Sequence, residues 1–364
     1  MHRATDPRAA FVVLTALLTG CGGGGDAAPA GADSATAAAT AVTTTDNSAA
    51  ASAVATTDTA TATTASASVA APARIAAATA TAQSAANACN AIRPFYWEIG
   101  DRQAKAAGGS VDGAAAGVGF SASTVVSIAS ASKWIYSAYV VQKRGGAPTD
   151  RDRKFLTLQS GYAGLQNCDP AQTVDACLAA QPGAGYAAAA DGKFDYGGGH
   201  MQKHASLDGL GPMNAAALSA EVRSQIGSDV PLAYSLAQPA GGLVMTADGY
   251  ARFLRKLLTG ELALGAVLGS GAVCTNPRHC ANAVYTPVPL TESWHYALGH
   301  WVEDDPVVGD GAFSSAGSFG FYPWIDATKS SYGVISRSAQ AGSGYASAQC
   351  GRLLRKAWAT GVAQ

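Results

Sequence analysis

The sequence predicts a mixed α/β domain of the α+β kind: an antiparallel sheet completed by N- and C-terminal strands, flanked by helices, with a helical or irregular lobe. Three observations carry this expectation. Runs rich in aromatic and β-branched residues stand at both ends of the domain, FYWEIG at 95–100 and FGFYPWID and YGVISR at 319–326 and 332–337. Helix-patterned stretches lie between them, the clearest being TADGYARFLRKLL at 246–258. Cys89 and Cys350 sit near the two ends, and a bond between them requires the first and last elements to be neighbours.

The chain opens on a targeting segment, residues 1–20. Arg3 and Arg8 precede the apolar stretch Phe11–Leu18, which is too short to span a bilayer as a mature helix. It leads into Leu18-Thr19-Gly20-Cys21, which resembles a bacterial lipobox and implies cleavage before Cys21 and lipidation of its thiol. An ordinary secretory signal with an incidental cysteine is the other reading, and both export the protein. The expected location is a membrane-anchored lipoprotein, periplasmic or on the outer membrane. Residues 21–85 are built almost wholly from Ala, Thr, Ser, Gly and Asp, a composition that cannot bury enough side chain to offset its ordering entropy. They read as a disordered tether of about 64 residues with a root-mean-square span of roughly 45 Å.

From residue 86 to 364 aromatics, long aliphatics, Arg and Lys appear together, about 280 residues that can build one large core. The formal net charge of −1 and the lack of any Lys/Arg run argue against a nucleic-acid partner. With Cys21 assigned to lipid, six cysteines remain, an even number in an exported chain. Cys168 and Cys177 bracket one polar loop and Cys274 and Cys280 another, so the expected pairs are Cys89–Cys350, Cys168–Cys177 and Cys274–Cys280. Zinc is the competing use of these thiols, but Cys-x-x-Cys spacing is absent.

In chain order, Phe95–Gly100 reads as a strand and Val125–Ile128 as a short extended segment. SASKWIYSAYVVQKRGG then reads as a helix from Ser130. Trp134, Ile135, Ala138, Tyr139 and Val141 give it an apolar face, Lys143 and Arg144 suit its C-terminal dipole, and Gly145 is a stop. Residues 147–240 look irregular. Thr246 can cap the next helix, on which Tyr250, Phe253, Leu254, Leu257 and Leu258 share one face. Two antiparallel strands joined by a polar turn follow at 319–337, and a last helix covers about 346–359. Pro323 implies an edge or bulged strand.

A serine three residues before a lysine is no rarity: 30 serines and 9 lysines in 364 residues supply about one such match by chance. The plain roles are a helix N-cap for Ser130 and a solvated position for Lys133. Yet positions i and i+3 share a helix face, so the two side chains can meet. A serine hydroxyl needs a base to become nucleophilic, and a desolvated lysine can be that base. The free backbone N–H at a helix start can also hold an oxyanion.

Four stretches in order make SIASASKWIYSAYVV more than chance. It resembles the first motif of the serine β-lactamase and penicillin-binding protein superfamily, particularly the class C, esterase and aminohexanoate-oligomer hydrolase branches. Asp195-Tyr196-Gly197-Gly198 is similar to the second motif, usually Tyr-x-Asn. PAGGLVMTADGYARFLRKLL, from Pro239 to Leu258, resembles the Gly-Gly-Leu helix common there. SSAGSFGFYPWIDATKSSYGVISR resembles the third-motif strand and its hairpin, with Ser315-Ala316-Gly317 where Lys-Thr-Gly or His-x-Gly is usual. The resemblance spans about residues 92–360. It implies a β-lactamase/transpeptidase-like fold and an acyl-enzyme on Ser130, with Lys133 as general base and Tyr196 as proton shuttle. The backbone N–H groups of Ser130 and Ser318 would form the oxyanion hole, with Gly198, Ser315 and Gly317 at the substrate, and no metal or organic cofactor required.

Two departures bear on substrate. Gly198 replaces an amide and Ser315 a cation, groups that in β-lactam and peptidoglycan enzymes hold a substrate amide and carboxylate. A small-molecule ester or amide without that carboxylate fits better. His200 or Lys203, just beyond Tyr196, could restore a charge at the substrate, but a solvated surface role is the favoured reading of each. His200 and His204 are spaced like a helical metal pair but lack a following glutamate and a third ligand. The favoured expectation is an exported serine esterase or amidase; the alternatives are a β-lactamase or D-Ala-D-Ala carboxypeptidase, and a silent binding module of the same fold.

Overall fold

A computed structural model describes residues 69–113 and 119–364. The lipidation site Cys21, the segment 1–20 and most of the tether lie outside the described residues. Eight strands form the main sheet, in spatial order Lys105–Val111 (β2), Phe95–Gly100 (β1), Tyr332–Ser336 (β13), Tyr322–Ile325 (β12), Ala312–Ser314 (β11), Trp301–Glu303 (β10), His295–Tyr296 (β9) and Val273–Cys274 (β7). Neighbours run antiparallel throughout. The first and last strands are adjacent, with Trp97 opposite Ile335. A smaller antiparallel sheet joins Val126–Ser127 (β3), Leu243–Met245 (β6) and Ala233–Tyr234 (β5), and Phe194–Asp195 (β4) pairs in parallel with Ala283–Tyr285 (β8).

Every residue of β1 is buried, because helices cover both faces of the sheet. On one face the helix Gly344–Thr360 (α8) packs on Tyr322 and Trp324, and its Gly351 lies so close to the Tyr322 ring that a Cβ there would collide with it. Alternation along β13 turns Tyr332 to the other face, where Arg255 of the helix Ala247–Thr259 (α7) donates to its hydroxyl at 2.8 Å. Thr246 caps α7 by accepting from Gly249 N at 3.0 Å, and Gly260 ends it in the left-handed region at φ 81°. The three cysteine pairs lie within disulfide distance as expected, Cys89–Cys350, Cys168–Cys177 and Cys274–Cys280.

Three expectations need correction. Residues 71–83, assigned by composition to the tether, form a helix (Ala71–Gln83, α1) whose Ala77, Ala78, Thr81 and Ala82 are buried, and it packs on α8. Alanine is the strongest helix former, and its small side chain permits a close approach that needs no large apolar residue. Pro323 belongs to an interior strand, flanked by β13 and β11. Its carbonyl, on the β11 side, accepts from Ser315 N at 3.2 Å; its missing N–H faces the same way, just past Ser314 where β11 has ended. The stretch 147–240 is more regular than its composition suggested. It holds Asp150–Leu156 (α3), Val174–Ala179 (α4), Gly199–Ala205 (α5) and Ala215–Ile226 (α6). In α6, Leu218, Val222 and Ile226 recur every four residues on the buried face, and Asn214 caps the helix.

Candidate active site

The site begins where β3 gives way to the helix Ser132–Lys143 (α2). Ala129, with φ at 44°, turns the chain through the left-handed region, and a short 3-10 turn over Ala129–Ala131 places Ser130 immediately ahead of α2. An alanine held there costs roughly 1–2 kcal/mol, so the turn must be fixed by its surroundings. Ser132 Oγ donates to Ala129 O at 2.6 Å and accepts from Leu243 N at 3.3 Å, while Tyr250 of α7 donates to Ala131 O at 2.9 Å. Every residue from Ser132 to Val141 is buried, so α2 is a central helix and not the half-exposed one its apolar face suggested.

Lys133, 3% exposed, donates from Nζ to Ser130 Oγ at 3.0 Å and to Ala240 O at 3.0 Å. Its Nζ lies 4.9 Å from the Tyr196 ring centroid. Among the described residues no carboxylate is a hydrogen-bond partner of Lys133, and burial pulls its pKa down to about 7. Lysine and serine therefore have the geometry of a base and its proton donor, with a substantial neutral fraction of the lysine at neutral pH.

Tyr196 follows β4 directly and is held by its amide, which donates to Tyr285 O at 3.0 Å. Burial pushes its hydroxyl up to about 12, while hydrogen bonding with Ser130 and the Trp301 indole acts the other way. It is a neutral hydroxyl beside the serine. The Trp301 ring stacks on it at 5.2 Å between centroids. A Cβ at Gly197 would collide with the Ala163 carbonyl, so glycine there serves close packing.

His200 corrects the expectation of a solvated residue, being fully buried. Ser160 N, which can only donate, points at Nδ1 at 3.3 Å, so Nε2 carries the hydrogen and donates to Asp195 O at 2.9 Å. Burial lowers its pKa to about 4, which keeps it neutral. It fixes the turn that presents Tyr196 and does not face the cavity. His204 bonds Asp152 at 2.9 Å and Tyr136 at 2.8 Å, so the two histidines serve separate networks. Lys203 is half-buried, its Nζ 5.8 Å from the Tyr162 ring centroid.

Ser130, Tyr196, Gly317 and Ser318 converge on a cavity of about 510 Å³. Gly317 runs against the Ile128 carbonyl, where a Cβ would collide, and this contact brings the 316–318 backbone alongside the serine. Two predicted substrate residues lie elsewhere. Ser315 is buried and turns its hydroxyl onto Ser130 O at 3.3 Å, because it directly follows β11. Gly198 packs toward Leu165, Ala240 and Gln238, off the cavity. The sequence reading missed the walls, Trp294 and Trp301 in ESWHYALGHW and Tyr345 at the start of α8. Tryptophans seven apart, on either side of a turn, leave no periodic signal.

No protein-family model matches the chain, and no curated protein matches it. Solved structures do. EstCE1, a hydrolase with promiscuous acyltransferase activity, is 12% identical with a TM-score of 0.56, covering 78% of this chain and 98% of that one. A D-stereospecific amidohydrolase from a Streptomyces species is 14% identical with a TM-score of 0.53, covering 79% and 99%. The D-amino acid amidase of Ochrobactrum anthropi SV3 is 11% identical with a TM-score of 0.51, covering 73% and 92%. The chain has the β-lactamase/transpeptidase-like fold.

Proposed function

We propose that the protein is a serine hydrolase that cleaves a small ester or amide through an acyl-enzyme on Ser130. The observation that carries this reading is the 3.0 Å contact between Ser130 Oγ and a lysine whose pKa burial lowers to about 7. Neutral Lys133 takes the proton from Ser130 Oγ as that oxygen attacks the substrate carbonyl carbon. The carbonyl oxygen becomes an oxyanion, held by the backbone N–H groups of Ser130 and Ser318. As the bond to the leaving group breaks, Tyr196 passes it a proton and recovers one from Lys133. Water then attacks the acyl carbon, gives its proton back through the same pair, and releases the acid and free Ser130. The cationless Ser315 position supports an ester or amide over a β-lactam or stem peptide.

The test is active-site labelling with peptide mapping. A fluorophosphonate should label Ser130, and a fluorescent penicillin should not. Labelling by both would favour the β-lactamase or carboxypeptidase reading, and labelling by neither would favour a silent binding module. The amino-terminal segment adds the proposal of export and lipid anchoring at Cys21, for which metabolic palmitate labelling, lost in Cys21→Ala, is the check.

A further inference from the structure

The cavity beside Ser130 is built from rings. Trp301 stacks on Tyr196, Trp294 meets Trp301 edge to face at 5.7 Å, and Tyr345 lies 6.3 Å from Trp294, so one aromatic surface runs from the reacting atoms to the far wall. Pro287 and Val288 add apolar surface to the lining. Among the described residues no charged side chain lines the cavity.

Lys133 reaches the cavity only beneath Ser130 Oγ, and the carboxylate behind the aromatic wall is turned away and paired. Glu292 lies behind the wall, accepting from Trp294 Nε1 at 2.8 Å and from the Tyr345 hydroxyl, and Arg352 Nη2 pairs with it at 2.6 Å. This one carboxylate ties two rings from separate segments into a fixed surface, since each ring's polar edge is anchored on the same group. An ionised substrate group placed here would be desolvated without a partner. An uncharged ring would meet rings at ordinary stacking distances.

We propose that the substrate of this serine hydrolase is an uncharged ester or amide carrying an aromatic group, which lies against Trp294, Trp301 and Tyr345. The inference rests on the acyl-transfer reading of Ser130. The aromatic group belongs to the acyl or to the alcohol side, and the test covers both.

Alkyl esters followed by pH-stat avoid an aromatic reporter. The probes are ethyl acetate, ethyl 3-phenylpropionate, benzyl acetate and monoethyl adipate, which is a monoanion at neutral pH. The better of the two aromatic esters should exceed ethyl acetate in kcat/KM by at least tenfold and monoethyl adipate by at least a hundredfold. Trp294→Leu, and separately Tyr345→Leu in case the buried tryptophan is needed for folding, should each cut the aromatic-to-acetate ratio at least fivefold. Monoethyl adipate within threefold of the aromatic esters, or an unchanged ratio in a variant with wild-type circular dichroism, would overturn the proposal. Turnover of ethyl acetate and phosphonate labelling of Ser130 report the hydrolase reading separately. If both hold while the ratios fail, only the substrate class is wrong.

Discussion

Two buried cationic regions of this molecule treat charge in opposite ways. At the base of the cavity Lys133 is buried beside a hydroxyl, a carbonyl and a ring, and desolvation lowers its pKa to about 7. On the α8 face Arg355 and Arg352 are also largely buried, but they share Glu303, at 2.8 and 3.2 Å, and each adds a second carboxylate, Asp310 or Glu292. Burial alone would lower Arg355; Tyr322, Glu303 and Asp310 around it outweigh that and hold it well above its ordinary value. The difference separates structure from chemistry. A cation with matched carboxylates stays charged and ties elements together, whereas a cation without one is poised to give up its proton.

The largest effect that tests this contrast is Lys133→Met. It should lower kcat/KM for ethyl acetate by about a thousandfold or more while leaving the thermal midpoint at neutral pH unchanged or higher, since it removes a desolvated amine. A rate close to wild type would remove Lys133 from the role of base. Glu303→Ala should do the reverse. Leaving two arginines short of a carboxylate should cost roughly 3 kcal/mol in urea unfolding, with the folded fraction still labelled at Ser130.

His200→Ala sharpens the comparison from the histidine side. Its neutral ring holds the Asp195 carbonyl, so its loss should lower kcat roughly tenfold or more with KM little changed, through misplacement of Tyr196. Loss confined to KM would instead place His200 at the substrate. The smallest signal is the pH profile. If neutral Lys133 is the working base, kcat/KM falls tenfold per pH unit below about 7 and is level above it. The same group ties stability to pH. Between about 7 and about 10.4 the folded protein binds fewer protons at Lys133 than the unfolded chain does, so stability rises with pH across that window. Lys133→Met should lack that component of the slope.

Much of this was legible in the residues because it is local. The i, i+3 spacing of Ser130 and Lys133, the cap and apolar face of α7, and the aromatic strands at both ends each depend on a few neighbouring positions. What escaped was set by distant partners. His200 looked like a surface residue until Ser160 and the Asp195 carbonyl closed around it. Ser315 looked like a substrate contact, but its position just past β11 points it at the Ser130 carbonyl. The 71–83 helix was hidden because alanine contacts with α8 leave no mark on hydropathy.

The SASK stretch therefore holds the proposed nucleophile and its proposed base in four consecutive residues, because one turn of helix is enough to bring their side chains together. Its lowered lysine pKa and the aromatic wall beside it belong to the fold. Desolvation of Lys133 and the meeting of Tyr196, Trp301, Trp294 and Tyr345 require segments about 150 residues apart to pack together, and no local pattern encodes that packing.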